Sequence, residues 1–153
     1  MIRVLIMKPM IWSVSCAESC TGGGVAYALT SVAGSSDWFK QSYVTYSNQA
    51  KQALVNVSGD TLDKFGAVSA ETVREMAEGT AQQTGAQCTT AISGIAGPGG
   101  GSEEKPVGTV WFGFYLNGVT DTIHRQFEGD REAVRTQAIA FVIATLHHRL
   151  VAK

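Results

Sequence analysis

Ala17-Glu18-Ser19-Cys20-Thr21-Gly22-Gly23-Gly24 is the stretch whose reading decides this fold. An apolar run over residues 10–14 precedes it, and three consecutive glycines close it. The pattern reads as a strand, a sharp turn and the start of a helix. Such a junction exposes a hydroxyl at the carboxyl end of a strand and aims bare backbone N–H groups at whatever the hydroxyl attacks. A second glycine-rich loop, Ser93-Gly94-Ile95-Ala96-Gly97-Pro98-Gly99-Gly100-Gly101-Ser102, follows another apolar run. Two such loops in a small domain point to a site for an anionic or nucleotide-like small molecule.

Working outward, residues 10–16 read as a buried strand and 22–31 as a helix, with Val25, Ala28, Leu29 and Val32 at helical spacing. Residues 41–46 are β-rich enough for a second strand, followed by helices over 48–54 and 58–65. Ser69 is a good N-cap for a helix over 70–84, with Glu71 in its first turn, an inner stripe of Val73, Met76, Ala77 and Thr80, and Gly85 as its stop. Residues 88–92 and 107–116 are strands. Asn117-Gly118 is a strong hairpin signal that returns a fifth strand over 119–127. Asp130 caps a last helix to about residue 150, with Val134, Ala138, Phe141, Thr145 and Leu146 facing inward. Helices separate the first four strands in this reading, and the fifth returns by the hairpin. The expected architecture is one three-layer α/β/α domain over residues 1–153, with a five-stranded mixed, mostly parallel sheet. Both glycine loops leave strand carboxyl ends, where open α/β sheets place their ligands.

The chain's 153 residues suffice for one real core, and a hydrophobic content of 44% against 16% charged residues places it among globular proteins. A net charge of −1, with no basic block, leaves no electrostatic footprint for nucleic acid. Three cysteines, Cys16, Cys20 and Cys88, do not make a disulfide framework and suit a reducing compartment. Cys16 and Cys20 lack a second close pair of Cys or His to complete a zinc site, and His147 and His148 read as solvated, so no metal is expected. Residues 1–9 resemble a signal peptide only superficially, because Lys8 and Pro9 interrupt the apolar run. No stretch reaches the length of a membrane span, and the cytoplasm is the expected location.

Ser19 is the leading nucleophile candidate, although local pattern by itself favours an ordinary helix N-cap. A serine hydroxyl needs a base. No histidine stands at an obvious strand end, and His124 falls mid-strand, where it reads as a surface residue. Lys51 follows the second strand and would serve if burial or a nearby cation lowered its pKa; the alternative is a solvated helix lysine. Cys20 competes as a nucleophile, since a helix N-terminus lowers a thiol pKa, or it simply packs. Ser102-Glu103-Glu104-Lys105 matches a Ser-x-x-Lys spacing, but the flanking glycines and Pro106 argue against the helix that chemistry needs. The loop over 94–101 lets backbone approach a ligand closely and converge N–H groups on phosphate. Lys105 and either Arg131 or Arg135 would add charge, or the arginines lie on a solvated helix face.

Taken together, residues 17–23, Gly34-Ser35-Ser36-Asp37-Trp38-Phe39, Val44-Thr45-Tyr46-Ser47-Asn48-Gln49-Ala50-Lys51, Phe65-Gly66-Ala67-Val68-Ser69 and residues 93–109 strongly resemble the CinA C-terminal domain family, which includes the nicotinamide mononucleotide deamidases. The five motifs stand in the family's order from about Ile11 to the last helix. The resemblance implies hydrolysis of the carboxamide of nicotinamide mononucleotide to nicotinic acid mononucleotide and ammonia, without metal or organic cofactor. It implies Ser19 as nucleophile and Lys51 as base. It assigns the oxyanion N–H groups to Thr21, Gly22 and Gly23, the shaping of the site to Tyr46 and Asn48, and the ribose phosphate to the loop containing Gly94, Ala96, Gly97 and Gly100. The same fold, three layers around a five-stranded mixed sheet, is implied.

One departure concerns residues 1–9, which do not read as the helix that family members carry before the first strand. Longer relatives also carry a fused N-terminal pyrophosphatase domain. An under-covered sheet face is therefore expected, and with it a homodimer or larger homo-oligomer using residues 1–9 or the hairpin over 107–127, where Trp111, Phe112, Phe114 and Tyr115 place rings on both faces. The competing functional readings are an inactive nucleotide-binding accessory module of the same family and a DNA-uptake or repair accessory. The acidic balance counts against the last.

Overall fold

The computed structural model describes residues 12–151. The expectations placed on residues 1–9 lie outside them. The elements run β1 (Val14–Glu18), α1 (Gly24–Thr30), a single 3-10 turn (Ser35–Asp37), β2 (Tyr43–Val44), α2 (Asn48–Val55), α3 (Gly59–Phe65), α4 (Ala70–Thr84), β3 (Cys88–Gly94), β4 (Thr109–Leu116), β5 (Val119–Gln126) and α5 (Arg131–Val151). The sheet order is β2-β1-β3-β4-β5. β1 pairs parallel with β2 and β3, and β4 pairs antiparallel with both β3 and β5. The result is an α/β domain with a five-stranded mixed sheet, four strands running one way and β4 the other.

That last point corrects the expected connectivity. No helix lies between β3 and β4: the glycine-rich segment alone joins them, and with no crossover helix to carry it back along a sheet face the chain returns antiparallel beside the strand it left. β5 then returns by the hairpin, with Asn117 at φ 46° and Gly118 at φ 98°, and runs with the other three strands. The opposed strand is β4 rather than the last one.

Two cores flank the sheet. On one side α1 and α5 cover Val14, Cys16, Ile92, Phe112 and Phe114, with Val25, Leu29, Val134, Ala138, Val142 and Leu146 as the helical contribution. On the other, α4 with α2 and α3 buries Ala17 and Ala91 beneath Val55, Leu62, Val73, Met76 and Ala77. The β4 rings divide between these layers. Phe112 and Phe114 are buried in the first, and Trp111 and Tyr115 pack against the second. Phe112 and Phe114 are thus core side chains covered by this chain's own helices, while Trp111 and Tyr115 stay half-buried. Among the described residues, no helix is long and apolar enough to cross a membrane.

α4 forms over the residues the sequence predicts because both ends carry strong signals. The Ser69 hydroxyl accepts from the Thr72 amide, and Gly85 ends the helix at φ 72°. Gly79, in its middle, is required by packing: a Cβ there would lie 1.7 Å from the Val55 carbonyl oxygen, so its absence lets the end of α2 cross α4 at backbone contact. β1 runs to Glu18, beyond the predicted end at residue 16, because this carboxylate is hydrogen-bonded rather than solvated. α1 starts at Gly24 rather than 22, since Gly22 and Gly23 hold left-handed conformations at φ 57° and 101°. β2 has only two of its six predicted residues, as the chain leaves the ladder where the Thr45 and Tyr46 carbonyls turn to Lys51.

Candidate active site

Ser19 and Lys51 are 32 residues apart in sequence and meet at the carboxyl ends of β1 and β2. Ser19 follows the last residue of β1, and its amide donates to the Ile92 carbonyl of β3 at 2.9 Å, which holds it at the sheet edge. Lys51 sits one turn into α2, whose N-terminus is capped by the Ser47 hydroxyl accepting from the Ala50 amide. Its Nζ donates to Ser19 Oγ at 3.1 Å and to the Thr45 and Tyr46 carbonyls at 3.0 and 3.4 Å. Ser19 Oγ in turn lies 3.4 Å from the Tyr46 carbonyl.

Lys51 is 1% exposed, and Ser19 is 8% exposed. Neutral oxygens surround the amine, and among the described residues no carboxylate pairs with it. Burial therefore pushes the lysine pKa below its ordinary value, opposed only by a lesser influence of Cys20. A lysine with a lowered pKa within hydrogen-bond reach of a serine hydroxyl has the arrangement of a base beside its nucleophile. The rival thiol is disfavoured: burial pushes Cys20 up to about 11, which leaves little thiolate at neutral pH.

The pair opens onto a cavity of about 280 Å³. Its walls are Ser19, Cys20, Tyr46, Asn48 and Lys51 on one side, Ala67 and Val68 from the turn before α4, and Ser93, Gly94, Ile95, Ala96, Gly97, Gly99 and Gly100 from the glycine loop, with Arg131 at the rim. Ser19, Lys51 and Ser93 are buried at the floor, whereas Tyr46, Asn48 and Arg131 are exposed. Arg131 donates to the Gly97 carbonyl at 2.7 Å and to the Tyr46 hydroxyl at 2.9 Å, bridging the two walls.

Eight of the sequence-derived candidates line one cavity: Ser19, Lys51, Tyr46, Asn48, Gly94, Ala96, Gly97 and Gly100. Five do not. Thr21 is buried and its hydroxyl donates to Glu18 Oε1 at 2.5 Å. The Gly22 amide is taken by the Ser19 carbonyl at 3.0 Å, inside the turn, so it is not free for an oxyanion. Gly23 is not among the residues that line the cavity. Lys105 Nζ donates to the Phe65 carbonyl at 2.7 Å. Arg135 Nε donates to the Cys20 carbonyl at 3.1 Å and braces the turn from outside. Of the two arginines, the one at the cavity is Arg131, not Arg135, since residue 131 opens α5 beside the glycine loop.

The sequence reading singles out neither Ser93 as a site residue, though it lies at the head of the loop, nor Glu18. Position within the motif Glu18-Ser19-Cys20 was the only signal for Glu18, and burial is what gives it a task. His124 is exposed against Trp111, with ring centroids 5.1 Å apart, and stands outside the cavity lining.

Comparison with known proteins follows the same lines. A family model described as the CinA C-terminal domain matches residues 4–150. A nicotinamide-nucleotide amidohydrolase PncC of Enterobacter agglomerans is 56% identical over 140 residues, covering 91% of this chain and 85% of the relative. The protein of the same name from Escherichia coli (strain K12) is 53% identical over 135 residues, covering 88% and 82%. Among solved structures, the competence damage-inducible protein A (ComA) of Klebsiella pneumoniae superposes with a TM-score of 0.92 at 39% identity, covering 97% of this chain and 91% of that one.

Proposed function

This chain belongs to the CinA C-terminal domain family, and from that premise we propose that it is an amidohydrolase converting nicotinamide mononucleotide to nicotinic acid mononucleotide and ammonia through a Ser19–Lys51 pair. The observation that carries this reading is the buried 3.1 Å contact between Lys51 Nζ and Ser19 Oγ.

Lys51 acts in its neutral form. Its lone pair takes the Ser19 proton as Oγ attacks the carboxamide carbon, and the bond to oxygen forms as the carbonyl becomes an oxyanion. The new ammonium then donates its proton to the amide nitrogen, the C–N bond breaks and ammonia leaves. Water, activated by the again neutral lysine, hydrolyses the acyl-serine to the carboxylate. The Gly22 amide is occupied, while the amides of Cys20, Thr21 and Gly23 have no backbone partner among the described residues; of these, Cys20 follows the nucleophile directly and lines the cavity, and its amide is the donor for the oxyanion. Arg131 at the rim meets the nucleotide phosphate, Tyr46 and Asn48 flank the ring, and Gly94, Ala96, Gly97 and Gly100 admit the ribose phosphate close to backbone. The reaction suits a recycling step in pyridine nucleotide metabolism, in the cytoplasm.

The test is ammonia release from nicotinamide mononucleotide by the purified protein, followed together with the nicotinic acid mononucleotide formed. Turnover supports the reading. Binding of the nucleotide without ammonia release would instead make the protein a nucleotide-binding accessory module.

A further inference from the structure

Glu18 has a place in the site that its carboxylate does not take directly. The residue immediately before the nucleophile is 0% exposed. Its Oε1 accepts from the Thr21 hydroxyl at 2.5 Å and from the Val25 amide at 2.9 Å; its Oε2 accepts from the Ala26 amide at 3.0 Å and lies 3.8 Å from Cys16 Sγ. Every group around the carboxylate is a donor, the environment an acceptor-only carboxylate suits. The side chain therefore reaches back beneath residues 19–24 and ties the strand end to the first turn of α1. Its backbone is held as well, because the Glu18 carbonyl accepts from the Thr45 amide at 2.8 Å.

Burying a carboxylate is costly, and a well-packed apolar residue of similar volume often does no worse for stability. What the apolar residue cannot supply is a simultaneous grip on a hydroxyl and two amides across the nucleophile's turn. From the other side, Arg135 grips the Cys20 carbonyl. The turn is thus held through its donors by Glu18 and through an acceptor by Arg135, while Ser19 Oγ meets Lys51.

We infer that Glu18 is a positioning residue for the hydrolysis: through Thr21, Val25 and Ala26 it fixes the turn that aims Ser19 Oγ at the substrate carbonyl and at Lys51. The inference rests on Ser19 being the nucleophile. A displacement of about 1 Å at a reacting group costs on the order of 100-fold in rate, so loosening this turn reads out in catalysis before it reads out in binding.

The experiment compares wild type, Glu18→Gln and Thr21→Val in four measurements. These are kcat and KM with nicotinamide mononucleotide, the rate of Ser19 labelling by a fluorophosphonate, the pH–rate profile, and the melting temperature. Gln keeps the shape but sets an NH₂ against donors; Val removes the single hydroxyl donor. Glu18→Gln is expected to lower both kcat and the labelling rate by about 10-fold or more, with KM within about 3-fold and the ascending pH limb unmoved. A variant that melts earlier yet keeps kcat and labelling per folded molecule within about 2-fold would show a purely structural carboxylate and overturn the inference. So would a shifted pH limb, which would make Glu18 an electrostatic partner of Lys51. If Glu18→Gln does not fold, Thr21→Val decides: slower labelling supports the inference and unchanged labelling overturns it. A wild type that labels at Ser19 but releases no ammonia refutes the proposed substrate alone. One that does neither removes the nucleophile and this inference with it.

Discussion

Lys51→Met separates the two consequences of burying a base. Methionine nearly preserves the length of the side chain and removes the amine. Catalysis loses its proton acceptor, and general-base assistance is worth about 10²- to 10⁴-fold in rate; turnover should fall into that range or below. Stability moves differently. The amine loses its contacts to the Ser19 oxygen and the Thr45 and Tyr46 carbonyls, each worth about 1 kcal/mol, while the cost of holding an ammonium away from water disappears. The two effects oppose each other, and pH sets their balance. Burial places the folded pKa below the ordinary 10.5. Between those two values the unfolded lysine carries a proton that the folded one lacks, so wild-type stability rises with pH across that window. The burial cost is fully present below the lowered pKa and gone above 10.5. The methionine variant lacks this dependence. The stability of wild type relative to Lys51→Met should therefore climb with pH, by at most about 1.4 kcal/mol per unit for one proton. Urea unfolding at several pH values measures that difference, and ammonia release measures turnover. Activity of the wild type should rise with pH through the same lowered pKa, because only the neutral amine accepts a proton. A flat wild-type profile between about pH 6 and 9 together with an active Lys51→Met enzyme would refute the pairing. A pH-independent stability difference would refute the burial argument.

Ser19→Ala should cost on the order of 10⁴- to 10⁶-fold in kcat while nucleotide binding measured by calorimetry survives; retention of a tenth of the activity would direct attention to Cys20. Arg131→Ala should raise KM for the mononucleotide about 10-fold or more, as loss of a charge-assisted contact to phosphate does, whereas Lys105→Ala should leave KM nearly unchanged because its Nζ is committed to the Phe65 carbonyl. Gly79→Ala forces a methyl group into the Val55 carbonyl oxygen and should destabilise the fold by about 1–3 kcal/mol or more, seen as a lowered melting temperature. Light scattering at micromolar concentration tests the expected homo-oligomer; a mass near the 16.2 kDa of one chain would rule it out.

The sequence by itself determined the layers and the chemistry that short-range signals encode. Ser69 and Gly85 bound α4, Asn117-Gly118 turns the hairpin, and the turn at Ser19 and the glycine loop after β3, both at strand ends, locate the cavity, because caps, positive φ and apolar periodicity act within a few residues. The motif around Ser19 and the one ending in Lys51 were each legible, but their 3.1 Å meeting was not. Local pattern reads Lys51 as a solvated helix residue, and tertiary packing buries it, with its amine turned to Ser19 and the Thr45 and Tyr46 carbonyls. The same holds for direction. Strand propensity says nothing about whether β4 runs parallel or back, and the absence of a helix between β3 and β4 decides it. Charges depend on tertiary structure most of all. Nothing local in the sequence tells the environments of Glu18, Lys105, Arg131 and Arg135 apart. Packing sends Glu18 under the turn, Lys105 to a carbonyl near α3, Arg135 behind the turn and Arg131 to the rim. A charged side chain's role is set by what lies within about 4 Å of its tip, and those neighbours come from segments far apart in the chain.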